Sequence, residues 1–275
     1  MDTLWDGPLV LVGAGKMGGA MLTGWLAEGL SPSRILVQDP APAAEIAELL
    51  SENGINSHSD VTSVLAEPPA VLLMAVKPQI MDTVFPPLAK IVGADSLVLS
   101  IAAGRTIQSF AEHLSPDRAI VRTIPNTPAA IGRGITVCVA NDAVTGRQRA
   151  ICDALLSAIG EVGWVDDEGL IDVATAVSGS GPAYVFLLAE CLAAAGVEAG
   201  LDPALAAQLA ESTVAGSGEL MRKSGISPET LRENVTSPNG TTHAALQVLM
   251  GTDGMQQLMS RAVTAASRRS RELAG

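Results

Sequence analysis

A short apolar run followed at once by three spaced glycines opens the chain. Residues 9–12 read Leu-Val-Leu-Val, and the next six read Gly-Ala-Gly-Lys-Met-Gly before a stretch with helical spacing. In such a strand–turn–helix the glycines permit a tight turn, close approach of a pyrophosphate, and packing of helix on strand. An ordinary glycine-rich turn is the alternative, which the flanking strand and helix disfavour. The pattern predicts a dinucleotide site formed by Gly13, Ala14, Gly15, Lys16, Met17 and Gly18.

The first 165 or so residues alternate short β-rich runs with helical stretches. Several runs are apolar throughout, as in strands buried on both faces of a parallel sheet. We therefore predict an α/β fold, with a Rossmann-type dinucleotide-binding domain in residues 1–166. The expected strands are 8–12, 34–38, 70–76, 96–101, 119–123, 135–139 and 161–165, and the expected helices between them include 17–28 and 43–53.

From about Asp167 onward no further strand pattern occurs. Proline at the first helical position marks helix starts at Pro182, Pro203 and Pro228, and glycines mark the ends. Residues 167–275 are expected to form an all-helical substrate-binding and dimerisation domain, whose Ala- and Gly-rich helices suit burial against another subunit. The expected helices are 182–195, 203–224, 228–234, 241–250 and 255–273.

The charge and the cysteines exclude several classes of partner. A net charge of −12 with only 17 Lys and Arg argues against nucleic acid and against an anionic membrane surface. The three cysteines lack disulfide or metal spacing, so we expect reduced thiols and no metal site. The first seven residues carry no basic segment, and no signal peptide is expected. The most apolar helix, around 183–196, is interrupted by Glu190 and is expected to be too short to span a bilayer. These features predict a cytoplasmic protein.

The choice between NAD and NADP depends on Asp39, which ends the second expected strand. An acid there would bind the adenosine ribose 2′-hydroxyl and repel a 2′-phosphate. However, Asp39 precedes Pro40, and its carboxylate could equally cap the next turn. Arg34 lies at the start of the strand, which is the wrong end for a phosphate. Both interpretations of Asp39 stay open, with a lean towards NAD.

Three more segments follow expected strands, at residues 75–79, 100–104 and 122–128. Ligands of open α/β sheets bind at the carboxyl ends of strands. Each segment could be only a turn, but small or polar residues after three consecutive strands favour the lining of a groove.

Two segments of the helical half, 178–184 and 235–242, combine glycine with hydroxyl side chains just before a helix. In the second, backbone N–H groups and four hydroxyls converge without a basic side chain, which suits one small carboxylate. The alternative is simple N-capping, for which one hydroxyl would be enough.

A general base is missing from the helical half. Dehydrogenases that oxidise an alcohol usually need one, but His243, next to the hydroxyl-rich segment, is the nearest candidate and is expected to be a packing residue. A protonated C=N bond is already electrophilic, so reduction of an imine needs only a hydride and a proton donor.

These segments, in this order and at this spacing, resemble the pyrroline-5-carboxylate reductase family over nearly the whole chain. The Val-Thr-Ser-Pro-Asn-Gly-Thr-Thr segment, combined with Ala-Val-Lys-Pro-Gln, is the specific part of the resemblance. The resemblance implies an NAD(P)H-dependent oxidoreductase that acts on the C=N bond of 1-pyrroline-5-carboxylate and gives L-proline, the last step of proline biosynthesis. It also implies a homodimer formed through the helical domains, often assembled further into decamers.

The resemblance also implies residue roles. Ser237, Gly240 and Thr241 would hold the substrate carboxylate, and Thr242 would hydrogen-bond the ring nitrogen as the catalytic proton donor. Asn239 stands where the family usually has a glycine, and Asn is the non-glycine residue best suited to the left-handed conformation. Residues 57–60 do not match the family's adenosine-phosphate pocket, so the preference between NADP(H) and NAD(H) stays open. The cofactor would further contact Ala75, Val76, Lys77, Pro78, Gly104 and Asn126.

Two other functions compete with this one. A 3-hydroxyacid dehydrogenase of related architecture needs a catalytic lysine on a helix, and only Lys223 is available there. A cofactor-binding regulatory protein without turnover would explain the glycine loop, but it leaves the hydroxyl-rich segment without a purpose.

Overall fold

The computed structural model describes residues 3–274 and contains one eight-stranded sheet. The strand order is β3-β2-β1-β4-β5-β6-β7-β8, and all neighbours are parallel except β6 and β7. Met1, Asp2 and Gly275 lie outside the described residues, so the expectation about a signal peptide falls partly outside them. The strands are β1 Leu9–Val12, β2 Ile35–Gln38, β3 Ser57–His58, β4 Val71–Met74, β5 Leu97–Ser100, β6 Ala119–Ile124, β7 Gly134–Ala140 and β8 Gly160–Trp164.

All seven expected strands are present, with ends within two residues of those predicted. Strand β3 has no counterpart among them, because two residues are too few to show a hydrophobic period. It forms only where residues 57 and 58 pair with the end of β2 at the edge of the sheet.

Both faces of the sheet carry apolar layers, as the unbroken hydrophobic runs predict. Strands β1, β4 and β5 are buried at every residue. On one face Trp25 donates an indole hydrogen bond to the Leu155 carbonyl at 2.8 Å, and on the other Phe85 and Phe110 pack edge to face at 4.9 Å. The helices of this part are α1 Lys16–Ala27, α2 Ala44–Glu52, α3 Met81–Ala89, α4 Ile107–Ala111 and α5 Gly146–Ser157.

The remaining chain is helical, as predicted. The helices are α6 Leu170–Ala174, α7 Gly181–Glu198, α8 Pro203–Ser224, α9 Pro228–Asn234, α10 Thr241–Leu249 and α11 Met255–Ala274. The described chain packs into two compact units, one of residues up to 179 together with those from 267 onward, the other of residues 180–266. The functional division predicted after Asp166 stays a prediction.

The expectation for the most apolar helix is wrong in its length. A π-helical turn, Thr175–Gly179, joins α6 to α7, so that Leu170–Glu198 forms one helical stretch of 29 residues. By length and composition alone this stretch could cross a membrane. The same test is passed by helices of soluble proteins whose apolar side is covered, so it is weak evidence for a membrane span.

Candidate functional site

The glycine loop has the geometry that its sequence predicts. Gly13 has φ +91°, and a Cβ there would come within 2.9 Å of the Ala75 carbonyl oxygen. A Cβ on Gly18 would collide with the Gly13 carbonyl oxygen, whereas one on Gly15 would meet nothing within 4 Å. Two glycines are therefore required by the fold of the loop itself. The third faces open space, where a pyrophosphate could approach the backbone.

Helix α1 begins without a side-chain cap. Its N-cap is Gly15, and its first turn contains neither an acidic residue nor a capping hydrogen bond. Gly15 and Lys16 are exposed, and Met17 is half-buried. The N–H groups of the first turn are therefore free of side-chain caps, an arrangement that anion-binding helix starts use.

Asp39 is tied to the glycine loop. Its carboxylate accepts hydrogen bonds from the backbone N–H of Ala14 at 2.8 Å and of Ala41 at 3.0 Å. The second bond is the turn cap considered from the sequence, and the first links the end of β2 to the dinucleotide loop. Arg34 donates to the Trp5 and Gly7 carbonyls near the amino ends of the strands, the end that its position in the sequence indicated.

The segments after β4, β5 and β6 lie at one edge of the sheet. Met74 pairs with Ser100, and Ser100 with Arg122, so the carboxyl ends of these parallel strands are in register. Lys77 is exposed and precedes a short 3₁₀ turn, Pro78–Ile80. The groove-lining residues predicted in unit one are therefore brought to the same edge as the glycine loop.

The side chain of Asn126 makes two hydrogen bonds to the backbone at this edge of the sheet. Its side-chain N–H₂ donates to the Ser178 carbonyl at 3.0 Å, and its side-chain oxygen accepts from the Ile135 N–H at 2.9 Å. The oxygen therefore holds the start of β7, and the amide holds the π-helical turn. π-helical turns are frequent at functional sites. Contact between Asn126 and a cofactor stays a prediction.

Gly104 ends the loop after β5 in a left-handed conformation with φ +70°. A Cβ there would lie 3.0 Å from the carbonyl oxygen of Leu273, in the last turn of α11. A larger residue at position 104 would therefore be strained twice, by its φ and by this contact.

Arg122, the first residue of the predicted groove-lining segment 122–128, is a buried charge. Its guanidinium pairs with Glu168 at 2.8 Å, and the same carboxylate oxygen accepts from the Ile107 N–H at 2.9 Å. Among the described residues, Nε and the second terminal nitrogen of Arg122 have no hydrogen-bond partner. A polar residue in a strand gives no sequence signal for its partner 46 residues away.

The segment 178–184 is not the loop predicted from its glycines and hydroxyls. Ser178 lies in the π-helical turn, and its hydroxyl donates to the Ala174 carbonyl at 2.9 Å. Helix α7 then starts at Gly181 with a proline in its first turn. The glycines, serines and proline of this segment correctly predicted that a helix starts here. The residues before α7 are helical too, so the predicted loop is absent from this segment.

The segment before α10 is the predicted hydroxyl-rich loop. Asn239 is left-handed with φ +60°, which confirms the expectation for the residue in the family's glycine position. A Cβ on Gly240 would displace the Ser237 hydroxyl and would lie 3.2 Å from the Ser237 carbonyl oxygen. The N-cap of α10 is Gly240, and no side chain of the described residues caps the helix. The N-capping alternative is thus wrong for α10, whose first-turn N–H groups stay available beside Thr241 and Thr242.

The basic residues considered for the competing functions lie on helices α8 and α10 of the second unit. Lys223 is 69% exposed and pairs with Glu219 at 3.2 Å, so it lies in solvent as part of a surface ion pair. The Glu219 carboxyl has its pKa lowered to about 2, chiefly by the Arg222 hydrogen bond and then by Lys223. His243 lies 3.3 Å from the Gln247 amide nitrogen, one turn along α10. Within the described part of the chain, no group of three or more His, Cys, Asp or Glu side chains could hold a metal.

Comparison with known proteins identifies the family. The model described as pyrroline-5-carboxylate reductase dimerisation matches residues 168–273, and the one described as NADP oxidoreductase, coenzyme F420-dependent, matches residues 8–104. A pyrroline-5-carboxylate reductase of Pseudomonas aeruginosa is 39% identical over 97% of this chain and 96% of its own length. The chain belongs to the pyrroline-5-carboxylate reductase family. A second member, from Synechocystis, is 42% identical over 96% of this chain and 97% of its own.

Solved members of the pyrroline-5-carboxylate reductase family share the fold. The enzyme from Coxiella burnetii superposes with a TM-score of 0.90 at 33% identity, covering 98% of this chain and 99% of its own. The Plasmodium falciparum protein, solved with NADP bound, has a TM-score of 0.80 at 28% identity over 98% and 99%. The predicted family, the α/β fold with a helical C-terminal domain, and the nicotinamide cofactor are confirmed.

Proposed function

We propose that this chain reduces 1-pyrroline-5-carboxylate to L-proline with NADPH or NADH, the last step of proline biosynthesis. The observation that carries the proposal is the full-length similarity to reductases of this name, at 39% and 42% identity. The chemistry of the residues supports it, because the glycine loop suits a nucleotide and residues 235–242 combine hydroxyls with no lysine or arginine.

The glycine loop would hold the pyrophosphate of the cofactor. Gly15 leaves the space that a Cβ would fill, and the uncapped start of α1 offers N–H donors beside it. The proposed cofactor residues are those predicted from the sequence, at the glycine loop, Asp39, the loops after β4 and β5, and Asn126. When bound, the reduced nicotinamide supplies the hydride that converts the C=N bond to CH–NH.

The start of α10 would hold the substrate carboxylate. Ser237 and Thr241 supply hydroxyl donors, and Gly240 lets the backbone of the loop fold closely against Ser237. The partial positive charge of the helix start favours an anion there. A neutral cradle of this kind binds one carboxylate without a lysine or arginine.

Thr242 would direct the proton. Its hydroxyl, half-buried in the first turn of α10, would donate a hydrogen bond to the imine nitrogen and hold the ring in one orientation. As the hydride adds to carbon, the electron pair of the C=N bond moves to nitrogen, which takes the proton. Hydride transfer requires the two reacting carbons in near contact, so orientation by the carboxylate and the ring nitrogen together is expected to matter for rate.

One assay separates this function from its competitors. Purified protein is mixed with NADPH or NADH and pyrroline-5-carboxylate, and loss of the reduced cofactor is followed by absorbance. The converse assay uses 3-hydroxy acids with the oxidised cofactors. Oxidation of either reduced cofactor by the imine is the expected result. Turnover of 3-hydroxy acids alone would establish the dehydrogenase, and binding without any turnover the regulatory protein.

We also propose that the chain forms a homodimer through its helical part, with a decamer as a further assembly. Large apolar side chains of the second unit are exposed in the single chain, and the matching family model is a dimerisation model. The exposed set includes Phe186, Leu187, Leu192, Leu205, Leu209 and Val248. Light scattering on the eluting protein is expected to give twice the 28.1 kDa chain mass or a multiple of it. The chain mass alone would refute the dimer.

A cytoplasmic location belongs to the same proposal. Covering of α7 by a second subunit accounts for its apolar surface without a bilayer. Cells lysed without detergent are expected to leave the protein in the supernatant after ultracentrifugation. Recovery in the membrane pellet, released only by detergent, would instead favour insertion of the Leu170–Glu198 stretch.

A further inference from the structure

Arg105 connects two of the loops proposed to bind the nicotinamide half of the cofactor. It follows Gly104 at the end of the loop after β5, and its side chain crosses to the loop after β4. Resting on the proposed function, we infer that Arg105 is a positioning residue, which fixes the loop of Lys77 and Pro78 in the conformation that receives the cofactor.

The contacts of Arg105 are directed at both the backbone and a side chain. Nε and one terminal nitrogen donate to the Pro78 carbonyl at 3.2 and 2.7 Å. The two terminal nitrogens also form a fork on the Asp82 carboxylate, at 2.5 and 2.7 Å. Only arginine offers a planar fork of donors that can meet both acceptors at once.

The charge state of the pair supports a lasting contact. The hydrogen bond from Arg105 lowers the pKa of the Asp82 carboxyl below its ordinary value, against an opposing effect of burial. Asp82 is therefore ionised at neutral pH. The Arg105 side chain is only 20% exposed although that of Asp82 is 73% exposed, so the arginine is the better shielded partner of the pair.

The local backbone explains why this contact controls the loop. The Pro78 carbonyl begins the 3₁₀ turn Pro78–Ile80, which leads directly into α3. On the other side, the φ of +70° at Gly104 turns the chain so that residue 105 reaches back across the strand ends. The guanidinium thus joins the two loops beyond the ends of strands β4 and β5, at Met74 and Ser100.

The chain offers a matched control for this pair. Arg118 pairs with its neighbour Asp117 at 2.9 Å, with exposures of 18% and 73%, nearly the same as those of Arg105 and Asp82. Arg118 immediately precedes β6, at the amino edge of the sheet and away from the glycine loop. The effect of removing an arginine–aspartate ion pair can thus be compared between the two edges of the sheet.

The test measures cofactor binding without substrate. The affinities for NADPH and NADH are determined by fluorescence titration for the wild type, Arg105→Met, Arg105→Lys and Arg118→Met. Hydrogen exchange of residues 75–82 is followed in the cofactor-free proteins. Arg105→Met is expected to weaken cofactor binding roughly three- to tenfold, as for loss of hydrogen bonds in a partly shielded pair. It is also expected to speed exchange in residues 75–82.

Arg105→Lys, which keeps the charge but not the fork, is expected to fall between the wild type and Arg105→Met, and Arg118→Met to match the wild type. The inference would be overturned if Arg105→Met kept both the cofactor affinity and the exchange rates of the wild type. It would also be overturned if Arg118→Met lost as much cofactor affinity as Arg105→Met, because the loss would then be a general effect of removing an ion pair. If Arg105→Met fails to fold, the comparison of Arg105→Lys with Arg118→Met decides by the same criteria. A wild type that binds cofactor but does not reduce the imine would count against the proposed function and leave this test intact.

Discussion

Replacing Gly15 by alanine tests the cofactor site most directly, because it separates binding from folding. A Cβ at this position meets nothing within 4 Å, and the φ of −71° is one that alanine adopts without strain. The chain should therefore fold. In the bound state, however, the methyl group would occupy the space through which the pyrophosphate approaches the N–H groups of the loop.

The expected loss of cofactor affinity follows from the hydrogen bonds that the loop would make to the pyrophosphate. A hydrogen bond to a charged group contributes about 1.5–3 kcal/mol, so losing one such bond to the pyrophosphate would weaken NADPH or NADH binding by about 10- to 150-fold. Alanine is a poorer N-cap than glycine, but the cost is below about 1 kcal/mol, which corresponds to a fall in Tm of roughly 2–4 °C or less. Binding is measured by fluorescence titration and stability by calorimetry.

Gly146→Ala is the control for this experiment. Gly146 is also a glycine at the start of a 12-residue helix, and a Cβ there also meets nothing within 4 Å. That variant is expected to keep wild-type cofactor affinity. The reasoning is refuted if Gly15→Ala binds the cofactor as tightly as the wild type, or if its Tm collapses although the space around it is open.

Three further substitutions test other parts of the site. Gly18→Ala sets a Cβ against the Gly13 carbonyl, and we expect it to lower the free energy of unfolding by about 1–3 kcal/mol, measured by thermal denaturation. In the control Gly19→Ala the new Cβ meets mainly the flexible end of the Ile46 side chain, so the loss of stability should be smaller. Thr242→Ala is expected to lower kcat about 10- to 100-fold with Thr242→Ser close to the wild type, and an unchanged rate would mean that water supplies the proton. Asp39→Ser should raise kcat/KM for NADPH relative to NADH by at least about fivefold, since the repulsion of two charges near 4 Å in water is about 1 kcal/mol. If this ratio does not change, Asp39 serves only as a cap of the following turn.

Elements with local signals were predicted from the sequence almost to the residue. Helices α8 and α9 begin and end where the prolines and caps indicated, because Asp202 accepts from the N–H groups of Ala204 and Leu205 and Ser227 accepts from Thr230. The glycine loop was predicted equally well, since Gly13 and Gly18 each have a steric reason within the loop itself. In these segments the residues that determine the conformation are neighbours in the chain.

The features that the sequence did not predict depend on partners far along the chain. The π-helical turn is held by Asn126, 52 residues from Ser178, and no local pattern distinguishes it from a loop. The contact of Arg105 with the Pro78 carbonyl spans 27 residues. The length of the α6–α7 stretch was underestimated because glycines and serines suggested a break that the tertiary structure bridges.

The bond from the Ala14 N–H to Asp39 has a consequence for the evolution and engineering of cofactor choice. One carboxylate serves as the acceptor for the nucleotide loop and for the following turn, and it also stands where the adenosine ribose is expected. A substitution that removes this carboxylate therefore takes the acceptor away from two backbone N–H groups at the same time. The shift toward NADPH expected of Asp39→Ser should therefore carry a cost in stability, and a second mutation that restores an acceptor for the Ala14 N–H should recover it.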